Sequence, residues 1–104
     1  MTYQLRFLPE VEEDVMSGYV WYEEKAQGLG EEFLRMFYAC TNKIRRNPLL
    51  SPKVYWEFRR NLLRRFPYAI YYRVQDDNVV VFGLFHCARD PRSITSELGS
   101  RGKL

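Results

Sequence analysis

Residues 79–85 read Val-Val-Val-Phe-Gly-Leu-Phe, a run without one polar side chain. A strand formed there has no face to give to water, so it must lie inside a sheet with cover on both sides. The run is far shorter than the ~20 apolar residues that a membrane-spanning helix needs. Ahead of it, Gln75, Asp76, Asp77 and Asn78 supply turn chemistry, and the stretches 54–60 and 62–74 are rich in Val, Tyr and Phe. Three strands in a meander are predicted over 54–60, 62–74 and 79–87, with 79–85 in the middle of the sheet. One face of that strand is expected to pack on helices and the other on something further, such as a partner.

The helices that supply this cover precede the strands. Residues 2–8 alternate Tyr3, Leu5 and Phe7 with Thr2, Gln4 and Arg6, which predicts a half-exposed first strand closed by Pro9. Proline suits a first helical turn, and Glu10, Glu12, Glu13 and Asp14 complement the positive end of the helix dipole. Val11, Val15, Tyr19 and Tyr22 recur at helical spacing to about Gln27, where Gly28 and Gly30 interrupt. A second helix is predicted over about 30–46, with Phe33, Phe37, Cys40 and Ile44 on one face and Asn47-Pro48 as its stop. Asp90 and Pro91 have the chemistry of an N-cap and a first helical residue, opening a short helix to about Leu98.

The resulting order is β-α-α-β-β-β with a short C-terminal helix. This is an α+β fold: a two-helix hairpin packed on a mostly antiparallel four-stranded sheet. A chain of 104 residues, 46% hydrophobic and 28% charged, has enough material for one core and not for two. Residues 1–98 are read as that domain and residues 99–104 as a frayed tail.

The net charge of +3 hides a lopsided distribution. Residues 1–34 carry two bases and eight acids, a net of −6, whereas residues 35–104 carry a net of +9. Such asymmetry suits nucleic acid or an acidic protein partner, and solvated arginines on a small domain produce it too. Cys40, Cys87 and the single histidine, His86, are too few for a disulfide scaffold or a four-ligand zinc site, so no metal or cofactor is expected. Nothing in the opening residues resembles the apolar core of a signal peptide, which predicts a cytoplasmic protein without membrane contact.

Arg59, Arg60, Arg64 and Arg65 form the densest basic cluster. Guanidinium forks suit phosphate and carboxylate, so this is a candidate partner-binding surface; a charged edge that prevents strand pairing is the plainer alternative. Tyr55, Trp56, Phe58 and Tyr68 interleave here, in a pattern that fits base stacking but more often marks a core. His86 ends the stripe Val80, Phe82, Leu84 and is a candidate general acid or base with Glu57 as a possible carboxylate partner, or else simply hydrogen-bonded. No serine, cysteine or second histidine stands where a nucleophile triad would need it. Asp90 has a local structural role in the helix cap, while Arg89 has none.

Residues 65–94 carry a longer pattern: Arg65, Phe66-Pro67-Tyr68, a Tyr72-Arg73-Val74 strand, the acidic turn Asp76-Asp77, Val79, then His86 and Arg89-Asp90-Pro91. With the opening Phe7, Pro9, Glu10, Glu12, Asp14 and Tyr22, this resembles the RelE/ParE toxin superfamily of bacterial type II toxin–antitoxin modules, and its ParE-like, plasmid-stabilisation branch most of all. The resemblance spans nearly the whole chain. It implies two N-terminal helices on an antiparallel sheet and an antitoxin whose acidic, partly disordered tail wraps the toxin into a hetero-oligomer. ParE-like members are associated with inhibition of DNA gyrase; RelE-like members cut mRNA in the ribosome with basic residues, sometimes aided by a glutamate or histidine. Glu57, Arg65 and His86 fall near such positions, but the strand position where some ribonucleases keep an arginine is Ala69. The expectation is therefore a gyrase-directed toxin whose target or antitoxin contacts include Arg59, Arg60, Arg64, Arg65, Arg73 and Arg89. A ribosome-dependent mRNA interferase is the alternative, and a non-toxic protein-binding module is the third reading.

Overall fold

Three helices and a five-stranded mixed sheet make up the computed structural model, which describes residues 2–102. In chain order these are β1 (Gln4–Phe7), α1 (Glu10–Lys25), α2 (Leu29–Arg46), β2 (Lys53–Tyr55), β3 (Phe58–Leu62), β4 (Tyr68–Gln75), β5 (Asn78–His86) and α3 (Pro91–Ser100). The strands lie side by side as β1-β5-β4-β3-β2. The α+β layout is as expected, but the strand count and the pairing are not.

The stretch 54–60 is not one strand. Trp56, at a φ of 50°, and Glu57 turn the chain between β2 and β3, which pair antiparallel through Tyr55 and Phe58. Nor is 62–74 continuous: β3 ends at Leu62, Arg65 adopts a φ of 72°, and β4 starts only at Tyr68. Neither turn carries a glycine, asparagine or aspartate, the residues that usually announce positive φ, so their positions were not legible. The sheet is also not all antiparallel, because β1 runs parallel to β5, with Leu5 opposite Val79 and Phe7 opposite Val81.

β5 lies between β1 and β4, inside the sheet, although the middle place of the five belongs to β4. Its two apolar faces are both used within the chain. Val79 and Val81 join Ile70 and Tyr72 beneath the helical hairpin, against Val11, Val15, Phe33, Phe37 and Ile44. Phe82 and Phe85 join Phe58, Ala69 and Tyr71 on the opposite face, under Ile94 and Leu98 of α3. The second face is thus covered by the protein's own C-terminal helix rather than by a partner. A β-bulge makes this division possible: Tyr71 pairs with Gly83 and Tyr72 with Val81, so Phe82 is an extra residue and the alternation shifts after it. Leu84 accordingly rejoins the hairpin side.

The hairpin meets at Gly18 of α1, where a Cβ would sit 2.5 Å from the Phe33 ring. Gly18, rather than the expected Tyr19, completes the buried stripe with Val11 and Val15. At the other end of the chain α3 is capped as predicted, with the Arg92 N–H donating to Asp90 Oδ1 at 2.9 Å and Pro91 in the first turn. The segment after Leu98 is not frayed over its described part. α3 continues to Ser100, and the Arg101 guanidinium reaches Asp14 of α1 at 2.6 and 3.0 Å. Residues 103 and 104 of the predicted tail lie outside the described residues.

Candidate functional site

The parallel strand β1 stops opposite Val81, leaving the outer edge of β5 from Phe82 onward without a neighbouring strand. α1 crosses that edge instead, and Asp14 Oδ2 accepts the Leu84 N–H at 3.1 Å. Beyond Asp14 the helix and the strand end enclose an open pocket of about 510 Å³, whose wall includes Trp21, Tyr22, Tyr68, His86 and Arg89. His86 is exposed and lies edge-on to Tyr68, with ring centroids 5.0 Å apart. Burial pushes the Tyr22 and Tyr68 phenols up, and their mutual proximity raises Tyr22 further.

The His86 ring is already committed on one side. Its Nδ1 accepts the Ala88 N–H at 3.0 Å, so a neutral ring carries its proton on Nε2. It is then Nε2 that faces a ligand. Arg89 sits on the Phe85 ring at 5.0 Å, donates to Ser93 Oγ at 3.0 Å and reaches Glu97 at 3.4 Å. These contacts aim it along the pocket wall while leaving it partly exposed.

Glu57 is not in this pocket. Arg59 pairs with Tyr72, and Tyr72 with Val81, which puts Glu57 level with the start of β5 and about 20 Å from His86 along the strand direction. Its carboxylate is held below the ordinary range by a hydrogen bond from Lys53, 2.9 Å away. Arg65 lies elsewhere again, beside α2, where it donates to Glu32 at 2.7 Å. The three candidate catalytic groups therefore do not share a pocket: His86 lines the one beside α1, Arg65 a groove along α2, and Glu57 neither. Ala69 is buried opposite Leu62 and Phe85, with no space for a guanidinium.

The basic residues divide in the same way. Because β3 ends at Leu62, Arg64 and Arg65 do not share strand faces with Arg60 and Arg59 as an uninterrupted strand would require. Arg64 and Arg65 join Lys43 and Arg46 of α2 along a groove of about 400 Å³, floored by Met36, Cys40 and Leu62. Arg59 is turned inward, donating to Ser51 O at 2.5 Å and Leu49 O at 3.2 Å. Arg73 lies beneath Trp56, 4.8 Å from its ring, and also faces Phe58 and Phe82. Arg60 is exposed.

Two features were missed at the level of sequence. Tyr55 and Trp56 are not core but 42% and 67% exposed, a result of the unannounced turn at Trp56. The Asp14–Arg101 pair, 87 residues apart, has no local signal whatever. Among the described residues no cluster of three or more His, Cys, Asp or Glu side chains is placed to hold a metal, and no helix is long and apolar enough to cross a membrane.

This arrangement of elements has known counterparts. A chain of the chromosomal ParDE system from P. aeruginosa superposes with a TM-score of 0.68 at 14% identity, over 82% of this chain and 96% of that one. A chain of the RelBE2 toxin–antitoxin complex from Mycobacterium tuberculosis gives a TM-score of 0.56 at 18% identity, over 83% and 99%. At these identities the likeness is one of fold. Toxin ParE2 from two strains of Mycobacterium tuberculosis is 26% identical over 102 residues, covering 97% of both chains. Residues 5–91 match the model of the family described as ParE toxin of type II toxin-antitoxin system, parDE, and the chain belongs to this family.

Proposed function

We propose that this toxin acts by inhibiting DNA gyrase and is neutralised by an acidic antitoxin in a toxin–antitoxin hetero-oligomer. One observation carries the first half: Glu57, Arg65 and His86, the residues at the candidate catalytic positions, do not share one pocket. Breaking an RNA strand requires a base for the 2′-hydroxyl and a guanidinium for the phosphorane within reach of one phosphate. Glu57 pairs with Lys53 and Arg65 with Glu32, and the Nδ1 of His86 is occupied by the Ala88 N–H. The second half is supported by the groove of Lys43, Arg46, Arg64 and Arg65, four cations of which only Arg65 has an acidic partner among the described residues. An acidic antitoxin segment fits there.

The ribonuclease reading keeps one supporting observation, the shared pocket of Tyr68, His86 and Arg89. Purified protein tested in parallel on gyrase supercoiling and on ribosome-bound mRNA separates the two. We expect loss of supercoiling with mRNA intact, and His86→Gln retaining most of the toxicity while Arg64→Glu or Arg89→Glu weakens it. Losing a general acid or base costs about 10² to 10⁴ in rate. Codon-specific cleavage that disappears by that factor in His86→Gln, or in Arg65→Ala, would replace gyrase with the ribosome as target.

A further inference from the structure

The sharpest conflict between local preference and fold lies at Trp56. The first residue of a two-residue hairpin turn with positive φ is ordinarily glycine or asparagine, and a bulky aromatic there is strained. Such departures are retained where the side chain has work to do in the assembled system. Trp56 is 67% exposed, and beside it stand Leu49 at 57%, Leu50 at 81%, Val54 and Tyr55. Five large apolar side chains within eight residues face solvent.

Side-chain hydrogen bonds and ring contacts hold the chain that presents them. The loop that carries the leucines is clamped from below by three side chains. The buried Tyr72 hydroxyl donates to Pro48 O at 2.7 Å, Arg59 to the Leu49 and Ser51 carbonyls, and the Asn61 amide to Ser51 Oγ at 2.7 Å. Arg73 supports the Trp56 ring from beneath, and Tyr55 stacks on Phe58 at an interplanar angle of 7°. A preorganised aromatic anchor among aliphatic neighbours is the composition of a binding hot spot, because little ordering entropy remains to be lost.

The residues also discriminate between kinds of partner. A single nucleic-acid strand needs free cations for its phosphates and flat rings for its bases. Of the four basic residues here, Arg59 is turned onto carbonyls, Lys53 pairs with Glu57, and Arg73 lies under Trp56. Among the described residues Arg60 has no partner, and Arg73, without a hydrogen bond or ion pair, is covered by the Trp56, Phe58 and Phe82 rings. Leu49, Leu50 and Val54 offer nothing to stack on. An apolar cleft in a protein suits them, and the exposed Arg60 beside them favours a carboxylate on its rim.

We propose that residues 48–60 form the finger by which this toxin engages its protein target, with Leu50 and Trp56 seated in an apolar cleft edged by carboxylates. The inference rests on the toxin reading above. Trp56→Gly tests it, because glycine accepts the positive φ and should leave the thermal midpoint unchanged or higher. Leu50→Ser, at a more exposed position, is the companion variant, and Val20→Ser on the outer face of α1 is the control.

Each is induced in bacteria and assayed, purified, against DNA gyrase, for oligouridine binding and for oligomeric state. We expect both finger variants to lose about tenfold or more in growth arrest and in gyrase inhibition, as hot-spot truncations do, with Val20→Ser unaffected. If the finger variants arrest growth like the wild type, the proposal fails while the toxin reading stands. Arrest that depends on the finger without any effect on gyrase keeps the finger and removes gyrase. A parallel loss of oligouridine binding would make the occupant nucleic acid, and a wild-type dimer that Trp56→Gly dissociates would make it a second copy; either overturns the proposal. A wild-type chain that arrests nothing removes the toxin reading and the finger's target together.

Discussion

A single thiol shows how position governs chemistry at the residue scale. Cys40 and Cys87 are indistinguishable in composition, but Cys87 is exposed and Cys40 is buried beneath Leu62, its Sγ 3.4 Å from Asn61 Oδ1. Burial pushes the Cys40 thiol up to about 11, with nearby Lys43 opposing only slightly. The unfolded chain releases this proton near pH 9 and the folded one near pH 11, so the stability it confers is complete below 9 and is lost across that window. The loss should amount to about 2–3 kcal/mol, since each pKa unit is worth about 1.4. Tyr72, raised above its usual range chiefly by burial, acts in the same direction above pH 10. Urea unfolding across this range should show a smaller decline for Cys40→Ala than for the wild type; equal slopes would contradict the burial. A thiol reagent should modify Cys87 alone in the native protein. The helical spacing of Phe33, Phe37, Cys40 and Ile44 made the burial of Cys40 legible, whereas the exposure of Cys87 depended on where β5 ended.

Among the elements, α3 is joined to α1 by one long-range ion pair in addition to its apolar contacts with the sheet. Its own sequence is modest: an Asp90 cap, Pro91, and the buried Ile94 and Leu98. Arg101 adds a tie to these: its guanidinium lies 3.5 Å from Glu97, donates to Phe82 O at 3.0 Å, stacks on Phe85 at 4.9 Å and grips Asp14 with two bonds. The two side chains are only 9% and 13% exposed, so removing one leaves the other charge poorly solvated. Arg101→Ala or Asp14→Asn should therefore cost about 3–5 kcal/mol, and Asp14→Asn with Arg101→Met should recover part of that. Calorimetry gives the magnitude. Hydrogen exchange gives the location, with α3 and the Leu84 amide deprotected before the helical hairpin. An unfolding midpoint equal to the wild type in Arg101→Ala would show that α3 is held by its apolar face alone.

At the scale of the whole molecule, the two charge poles of the sequence are only partly separated, because Glu32 pairs with Arg35 and Arg65 and Asp14 with Arg101. The acids of residues 1–34 lie on α1 and the start of α2, and the bases gather at the end of α2 and around β3 and β4. The groove of Lys43, Arg46 and Arg64, none of which has an acidic partner among the described residues, is what attracts an acidic partner. If its antitoxin is acidic, as proposed, the affinity should weaken as salt rises, mostly through slower association, and Arg64→Glu should flatten that dependence. Titration calorimetry and stopped-flow at two ionic strengths test this. Binding indifferent to salt, or protection confined to residues 1–34, would place the antitoxin on the acidic side instead.

The amino-acid sequence by itself determined the class of fold, the helical hairpin, the interior position of β5 and the cap of α3. Each follows from periodicity or from short-range hydrogen bonding, which act within a few residues and are written in neighbours. Tertiary structure alone decided the fifth strand, the bulge at Phe82, the parallel pairing of β1, the Asp14–Arg101 pair and the exposure of Trp56. Those depend on contacts between distant residues: a strained turn persists because Arg59, Tyr72 and Arg73 hold its surroundings, and a tail residue is ordered because Asp14 waits for it on another helix. The dispersal of Glu57, Arg65 and His86 belongs to the same group, since register, which no local preference encodes, sets which strand ends meet.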